Sequence, residues 1–232
     1  MEELNLCYTD QEFIDEVLKR TGKKKEDFIE PLFEDNTFMN LALCFLWEST
    51  NEVLERISDK LWDDKNFCVT AYFYICDDLD YYISKIPEKH FDDPLFISTL
   101  VSHNTKILEY IPKKYLNNSL IFAEAILNMD VSDEYDWRCN EFMYIVDKIT
   151  ENVWNDESFV FDLVSYTWDI NFDYRFEEFL DCLPTKYFND KDFIMHVYEN
   201  SSSTCYDLIY DRISDNLRED NIFITSLMEN YY

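Results

Sequence analysis

One pattern of polar and apolar positions recurs along this chain and predicts most of its secondary structure. At eight places an Asp or Asn is followed three residues later by a large apolar residue. The pairs are Asp10/Phe13, Asp35/Phe38, Asp64/Phe67, Asp93/Phe96, Asn118/Ile121, Asp156/Phe159, Asp190/Phe193 and Asp220/Phe223. Asp and Asn are preferred helix N-caps, and an apolar side chain in the first turn can face the core. Each pair therefore predicts the start of a helix.

Two further columns of apolar residues keep register with these pairs, although successive pairs lie 25, 29, 29, 25, 38, 34 and 30 residues apart. From the second pair onward, an apolar residue stands ten residues before the apolar member of the pair, which is seven residues before the cap. These are Phe28, Ile57, Ile86, Ile111, Ile149, Leu183 and Ile213. Five residues before the apolar member of the pair stands another large apolar residue, with Arg218 as the exception in the last repeat. Three columns in register indicate internal repeats.

The stretches that lead into the caps read as one linking motif, for example Ile-Pro-Glu-Lys-His-Phe at 86–91 and Leu-Pro-Thr-Lys-Tyr-Phe at 183–188. Proline ends the preceding helix. Each repeat is thus predicted to be two helices of about 8–12 residues, too short to be stable alone. The predicted fold is all-α, a solenoid of about eight two-helix repeats in one domain spanning 1–232. Its repeats start near 10, 35, 64, 93, 118, 156, 190 and 220, and the last is truncated as a cap.

Asp93-Pro-Leu-Phe, together with Ile-Leu-Glu-Tyr-Ile-Pro-Lys-Lys-Tyr-Leu-Asn-Asn at 107–118, carries a family resemblance. The chain, most clearly at 93–127, resembles a short bihelical repeat of unknown function found in bacterial and protist proteins. That family repeats about every 25 residues. It has an Asp before an apolar helix and a Leu-x-Tyr-Ala-Ser-like turn. The resemblance implies a repeat fold and carries no activity with it. Repeats five and six are longer than the family pattern.

Glycine is nearly missing from the chain, since Gly22 is the only one. A β-rich fold, a phosphate-cradling loop and a nucleophile elbow all need glycine. The three histidines, His90, His103 and His196, have none of the zinc-binding spacings, and His90 in the linking motif is predicted to be structural. We therefore predict no enzyme, no catalytic or metal-binding residue and no cofactor.

The cysteines and the first residues bear on the cellular compartment. Seven cysteines occur without a C-x-x-C pair, and most lie in apolar patterns such as Leu43-Cys44-Phe45. This is typical of free thiols in a reducing cell interior. Met1-Glu2-Glu3 is acidic where a signal peptide is basic, and no apolar run approaches the roughly 18 residues of a membrane span. The predicted location is the cytoplasm, including that of a host cell.

The chain carries 49 acidic and 20 basic residues, a formal net charge of −29. That charge argues against direct binding to nucleic acid or to an anionic membrane, and it suits a partner protein with a basic surface. The acidic caps account for only seven of the acids. Residues 1–119 hold 24 acidic and 13 basic residues, whereas residues 120–232 hold 25 and 7. The second half is therefore the more acidic.

The candidate binding residues lie where repeats five and six exceed the usual length. Two acidic, aromatic insertions are predicted between the first and second helices of these repeats. In a solenoid they would be neighbours on one edge. Aromatic anchors among charges are typical of binding hot spots. The predicted partner-binding residues are Asp130, Asp133, Glu134, Tyr135, Asp136, Trp137, Trp168, Asp169, Asp173 and Tyr174. Alternatively, the aromatic residues fold back and cover the repeat ends.

Two classes of binding function follow. The first is an inhibitor whose carboxylates replace phosphates in the basic groove of a nucleic-acid-binding protein or nuclease complex. In acidity and lack of motifs the chain is similar to phage-encoded anti-defence inhibitors, including anti-CRISPR proteins. The second is a general interaction scaffold that holds a peptide or helix in a concave groove. An enzyme whose site is specific to its fold is a third, weaker hypothesis. The oligomeric state has no signature in the sequence.

Overall fold

The computed structural model of this chain describes residues 8–46, 49–74, 79–129, 135–169, 175–201 and 205–229. Throughout these residues the regular structure is helical, with no strand, which confirms the all-α class. The chain divides into two compact units, Met1–Ile111 and Pro112–Tyr232. The single repeat domain predicted over 1–232 and its solenoid form stay predictions.

Each unit is a succession of short helices. Unit 1 contains α1 (Asp10–Thr21), α2 (Asn36–Phe45), α3 (Thr50–Arg56), α4 (Asp59–Trp62), α5 (Lys65–Tyr72), α6 (Leu79–Lys85) and α7 (Pro94–Val101), with 3₁₀ turns at Lys25–Asp27, Leu32–Glu34, Glu88–His90 and Thr105–Glu109. Unit 2 contains α8 (Ser119–Leu127), α9 (Tyr135–Val146), α10 (Glu151–Trp154), α11 (Glu157–Asp169), α12 (Phe176–Cys182), α13 (Lys191–Glu199), α14 (Tyr206–Tyr210), α15 (Asp215–Arg218) and α16 (Asn221–Glu229), with 3₁₀ turns at Lys113–Tyr115 and Thr185–Asn189.

Seven of the eight predicted caps are confirmed. The side chains of Asp35, Asp64, Asp93, Asn118, Asp156, Asp190 and Asp220 each accept a backbone N–H from the first turn of the helix that follows. The apolar partner of every pair is buried, from Phe13 to Phe223. These eight helices are called first helices below: α1, α2, α5, α7, α8, α11, α13 and α16.

The prediction of Asp10 as a cap was wrong, because the cap of α1 is Thr9. Its hydroxyl accepts from Glu12 N at 3.3 Å, and the Glu12 carboxylate accepts from Thr9 N at 2.8 Å. This reciprocal capping box leaves Asp10 as the first helical residue. The Thr-x-x-Glu signal was present in the sequence one residue before the expected position.

The prediction of two helices per repeat was also wrong, since a third helical turn forms the linking motif. Its type follows its first residue. Links capped by Pro31, Pro87, Pro112 or Pro184 are 3₁₀ turns, and links capped by Ser58, Thr150 or Ser214 are single α-turns. The second helix varies too. In the two 25-residue repeats it is only a 3₁₀ turn, at Lys25–Asp27 and Thr105–Glu109. A 3₁₀ turn rises about 2.0 Å per residue against about 1.5 Å in an α-helix, so it spans a repeat with fewer residues.

Within each unit the first helices pack side by side: α1 on α2, α2 on α5 and α5 on α7 in unit 1, and α8 on α11, α11 on α13 and α13 on α16 in unit 2. The contacts at their ends indicate that neighbours run parallel. At the helix starts, Lys65 Nζ lies 2.5 Å from Asp93 Oδ2, and Ser119 Oγ donates to Asp156 Oδ2 at 2.6 Å. At the helix ends, Arg20 Nη1 donates to the Phe45 carbonyl at 2.7 Å. Each unit therefore collects the starts of its first helices on one edge and their carboxyl ends on the other.

Successive links are joined by one recurring hydrogen bond, whose acceptor is the carbonyl two residues before a cap. Where the next link begins with Ser or Thr, that residue donates. Ser58 N donates to Phe33 O at 3.3 Å, Ser214 N to Phe188 O at 3.0 Å, and Thr150 Oγ1 to Leu116 O at 2.9 Å. These bonds hold consecutive repeats in a fixed register.

Proline has no N–H, and in the proline-led links a ring three residues later donates instead. After Pro87, His90 Nε2 lies 2.9 Å from Trp62 O; after Pro184, Tyr187 Oη donates to Trp154 O at 2.7 Å. A carbonyl oxygen can only accept, so Nε2 of His90 carries the proton. His90 is 3% exposed, which confirms its predicted structural role.

We expect replacement of Asp35 to cost more stability than replacement of any exposed cap. Its two carboxylate oxygens accept from Phe38 N and Ile29 N, each at 2.7 Å, and the residue is buried. Asp35→Ala should lower the free energy of unfolding by about 2 kcal/mol. The control Asp64→Ala removes an exposed cap with one bond to Asn66 N and should cost about 0.5 kcal/mol. Urea titration followed by circular dichroism measures both, and equal losses would contradict the buried double role.

The ring donor of the proline-led links can be tested at His90. His90→Leu leaves the Trp62 carbonyl with the Cys68 thiol, a weak donor at 3.2 Å, and should cost about 1–3 kcal/mol. His90→Tyr places at this position the donor that Tyr187 supplies in unit 2, and it should lose less. If thermal or urea unfolding ranks Tyr no better than Leu, the hydrogen bond is not what His90 contributes.

Candidate partner-binding edge

The parallel first helices define two edges in each unit. The capped edge holds the N-caps and the links. The connecting edge is where first helices end and the chain turns toward second helices; its described residues include Phe45, Phe73 and His103 in unit 1, and Leu127 and Arg175 in unit 2. A helix carboxyl end carries partial negative charge, and parallel packing adds these ends together along the connecting edge.

The predicted insertions belong to the connecting edge of unit 2, but only partly as loops. Asp130, Asp133, Glu134, Asp173 and Tyr174 lie outside the described residues. Tyr135, Asp136 and Trp137 begin α9, and Trp168 and Asp169 end α11; their side chains also lie outside the described part. The prediction that these five residues lie between helices was wrong. Their role in binding stays a prediction.

Longer helices absorb part of the extra length of repeats five and six. The first helix α11 has 13 residues, compared with 8 in α5, and the second helix α9 has 12, compared with 7 in α3. In α11 the buried Thr167 follows Leu163 and Val164 at helical spacing, and it lies beyond the point at which α5 ends. The structure also packs α9 against α12, and Arg175 Nη1 donates to Asn140 Oδ1 at 2.7 Å. The helices that flank the two insertions are therefore neighbours.

On the capped edge, basic side chains pair with acids of the preceding or following repeat. Lys89 Nζ lies 2.6 Å from Asp63 Oδ1, and Lys60 Nζ lies 3.2 Å from Glu34 Oε2. Lys65 and Lys191 each lie at the first position of a first helix and reach the cap of the next, Asp93 and Asp220. These exposed pairs contribute little to stability individually, yet they offset part of the negative charge of this edge.

Pairing with lysine changes the pKa of carboxyl groups on the capped edge. The lysine ammonium groups lower the pKa of Asp63, Asp93 and Asp220 below the ordinary aspartate value. A lowered folded-state pKa stabilises the fold above the ordinary carboxyl pKa, and this contribution is lost as the pH falls through the lowered value.

The connecting edge has a different charge balance. Of the nine basic residues in the sequence of unit 2, Arg138 and Arg175 lie where a first helix gives way to a second. The other seven lie on links, at first-helix starts or just after second helices: Lys113, Lys114, Lys148, Lys186, Lys191, Arg212 and Arg218. By sequence, the connecting segments 47–48, 75–78, 130–134, 170–174 and 202–204 contain seven acidic residues and no basic one. The exception is the first repeat, whose turn after α1 carries Lys23, Lys24 and Lys25.

Exposed apolar side chains, which the repeat pattern did not predict, also lie on the connecting edge. Phe45 is 39% exposed, Phe73 57% and Leu127 71%. The Phe73 ring lies against His103, with the ring centroids 4.2 Å apart. All three apolar residues follow a cap by nine or ten positions, just beyond the last buried residue of their helix. That shared offset is a signal which the repeat register could have revealed.

One constellation resembles a catalytic triad, and its hydrogen bonds argue against that role. Ser165 Oγ lies 3.0 Å from His196 Nε2, and Asn200 Nδ2 lies 3.3 Å from His196 Nδ1. However, His196 Nε2 also lies 3.0 Å from the Phe161 carbonyl, which can only accept. Nε2 therefore carries the proton and cannot take one from Ser165. The network joins α11 to α13 and leaves the serine unactivated.

The remaining reactive groups give no catalytic centre within the described part of the chain. Burial raises the pKa of the Cys68 thiol to about 12, so it stays protonated. Cys205 is buried as well, whereas Cys44 is exposed, contrary to the buried thiol that its apolar neighbours suggested. No group of three or more His, Cys, Asp or Glu in the described ranges is arranged to hold a metal ion. None of the helices described there has the length and apolarity needed to cross a membrane.

No protein-family model, no curated protein and no solved structure matches this chain.

The tautomer of His196 leads to a direct test. A fluorophosphonate probe, which labels activated serines, should leave Ser165 unmodified after prolonged incubation, as read by intact mass. Labelling that disappears in Ser165→Ala would show that the serine is activated and would contradict the assignment of the proton to Nε2.

Proposed function

We propose that this chain is a non-enzymatic solenoid of helical repeats. It inhibits a nucleic-acid-handling protein by occupying that protein's basic groove with the connecting edge. The observation that carries this proposal is the separation of charge between the two edges. Most basic residues of unit 2 lie on links, at first-helix starts or just after second helices, and lysines such as Lys89 and Lys191 pair with acids of neighbouring repeats. The acids of the connecting segments have no basic residue among them.

The physical basis is substitution of phosphate by carboxylate. A protein that binds nucleic acid has Lys and Arg arranged for a row of anions, and a rigid row of carboxylates can meet the same groups. The partial negative charge of the helix carboxyl ends adds to this potential. Complementary fields of this kind also steer the encounter and raise the association rate. An anti-defence role, as in anti-CRISPR inhibitors, would use these properties in a phage-infected cell.

The alternative function is a general scaffold that binds a peptide or a helix. The exposed side chains of Phe73 and Leu127 favour it, because apolar anchors supply affinity that does not depend on charge. Salt separates the two functions. A phosphate mimic loses affinity steeply as ionic strength rises and competes with nucleic acid for its partner, whereas an apolar groove binder changes little.

The decisive experiment combines capture with matched variants. The tagged chain captures partners from lysate at low salt, and mass spectrometry identifies a nucleic-acid-binding protein among them. One variant replaces five acids of the predicted site by Asn or Ser: Asp133, Glu134, Asp136, Asp169 and Asp173. A charge-matched control replaces five exposed acids of the capped edge: Asp59, Asp92, Glu151, Asp215 and Glu219.

We expect the first variant to keep its helicity and to bind the captured partner at least about tenfold more weakly, because each lost carboxylate removes an attraction to the basic groups of the groove. The control, with the same net charge, should lose much less. Equal losses in the two variants would mean that total charge and not the connecting edge is recognised. Capture that persists unchanged in about 0.5 M salt, where screening leaves only a few Å of electrostatic range, would reject the mimic and favour the scaffold.

A further inference from the structure

We propose that Phe73, on the connecting edge of unit 1, is a docking point for an arginine side chain of the basic partner. This inference rests on the proposed function and adds the residue type that the partner presents. It is carried by the way in which the protein holds its own arginines and by the exposed ring that Phe73 offers at the end of α5.

Arg20 shows how this protein binds a guanidinium group at the carboxyl end of a first helix. It lies in the last turn of α1, where its Nη1 donates to the carbonyl of Phe45, the last residue of α2, at 2.7 Å. Its Nε donates to the Glu16 carboxylate at 2.8 Å. One guanidinium group thus bonds to the carboxyl end of the neighbouring first helix and to an acid at the same time. Counted from the start of each repeat, the same position is occupied by Phe45 in the second and by His103 in the fourth.

Arg56 and Arg218 show that this protein also binds guanidinium groups over aromatic rings. The guanidinium carbon of Arg56 lies 4.9 Å from the Phe13 ring centroid, and its Nη1 donates to the Glu52 carbonyl at 2.9 Å. Arg218 repeats the arrangement with the Tyr210 ring, at 5.7 Å, and the Asp211 carbonyl. In both, the guanidinium group lies over an aromatic ring while one of its N–H groups donates to a main-chain carbonyl.

Phe73 offers the same two elements without an arginine of this chain over its ring in the described part. Its side chain follows the carboxyl end of α5 directly, and α7 ends beside it, since His103 packs on the Phe73 ring. More than half of Phe73 remains exposed at 57%. A cation above this ring would face an aromatic quadrupole and two negative helix ends together.

Arginine suits this position better than lysine for two physical reasons. The guanidinium is planar, so it stacks on a ring while its N–H groups still donate at the edge. It is also more weakly hydrated than an ammonium, so it loses less when it leaves water. Basic grooves that hold phosphates are rich in arginine for related reasons, which connects this docking point with the proposed partner.

The test uses two synthetic peptides of equal charge, five Arg-Gly repeats and five Lys-Gly repeats, titrated into the full chain by calorimetry at about 0.15 M salt. We expect the wild-type chain to bind the Arg peptide about fivefold more tightly, the effect of roughly 1 kcal/mol from one exposed cation–π contact. Phe73→Ser, which keeps the net charge, should bring the ratio close to one. The control Leu95→Ser removes an apolar residue with similar exposure, 64%, from the capped edge and should keep the wild-type ratio.

Each outcome of the peptide titrations either supports or overturns the arginine site. A wild-type chain that does not distinguish the peptides, or a Phe73→Ser variant that keeps the preference, overturns the arginine site while leaving the proposed function intact. If neither peptide binds, the proposed function fails and the arginine site fails with it. Phe73→Leu, which keeps an apolar side chain without a ring, serves if the serine variant does not fold. Loss of the preference in the leucine variant supports the site, and its retention overturns it.

Discussion

The hydrogen bond between an Asp or Asn side chain and the first backbone N–H groups of a helix recurs at seven of the eight predicted first-helix starts, and much of the structure depends on it. By fixing where the helix begins, it also fixes that the apolar side chain three residues later points into the core. Phe38, Phe67 and Phe193 are fully buried in consequence. The same carboxylates serve the next contact, because Lys65, Ser119 and Lys191 reach from the start of one first helix to the cap of the following one. Short helices that would be marginal alone are thus held at a common starting edge.

That arrangement has an electrostatic consequence. Parallel helices place like dipole ends together. The acidic caps offset the positive ends on the capped edge, and lysines pair with those acids in turn. The other end is offset at fewer places, among them Arg20, the lysines of the first turn, Arg138 and Arg175. A surface of this kind repels copies of itself and attracts cations, which is why the proposed partner is basic. The surplus of acidic residues therefore affects the connecting edge most, because fewer basic residues lie there.

Some features of the fold could be inferred from residue spacing and others could not. The sequence shows that some links begin with Ser or Thr and others with Pro. It does not show which group donates a hydrogen bond to the preceding link in each case. Pro87 and Pro184 remove a donor, and only the structure reveals that His90 and Tyr187 replace it on the carbonyl of the preceding link. Likewise, residues 135–137 and 168–169 depart from the repeat pattern and resemble loops. Their helical backbone depends on buried positions such as Thr167, which extend a helix through tertiary packing that a count of residues does not contain.

The properties of the connecting edge also fall into those that the sequence alone predicts and those that depend on the tertiary structure. The surplus of acids, its concentration in the second half of the chain and the break in the repeat at the insertions are properties of the sequence alone, because they depend only on which residues occur and where. The exposure of Phe73 and its contact with His103 depend on two helices that are separate in sequence and parallel in space. The sequence by itself determined where helices start, which face they bury and how much charge the chain carries, since caps and apolar periodicity are local. Which lysines pair with which acids, and therefore which edge stays negative, was decided only by the tertiary structure, because those partners lie some 26 to 29 residues apart and meet only when consecutive repeats stack.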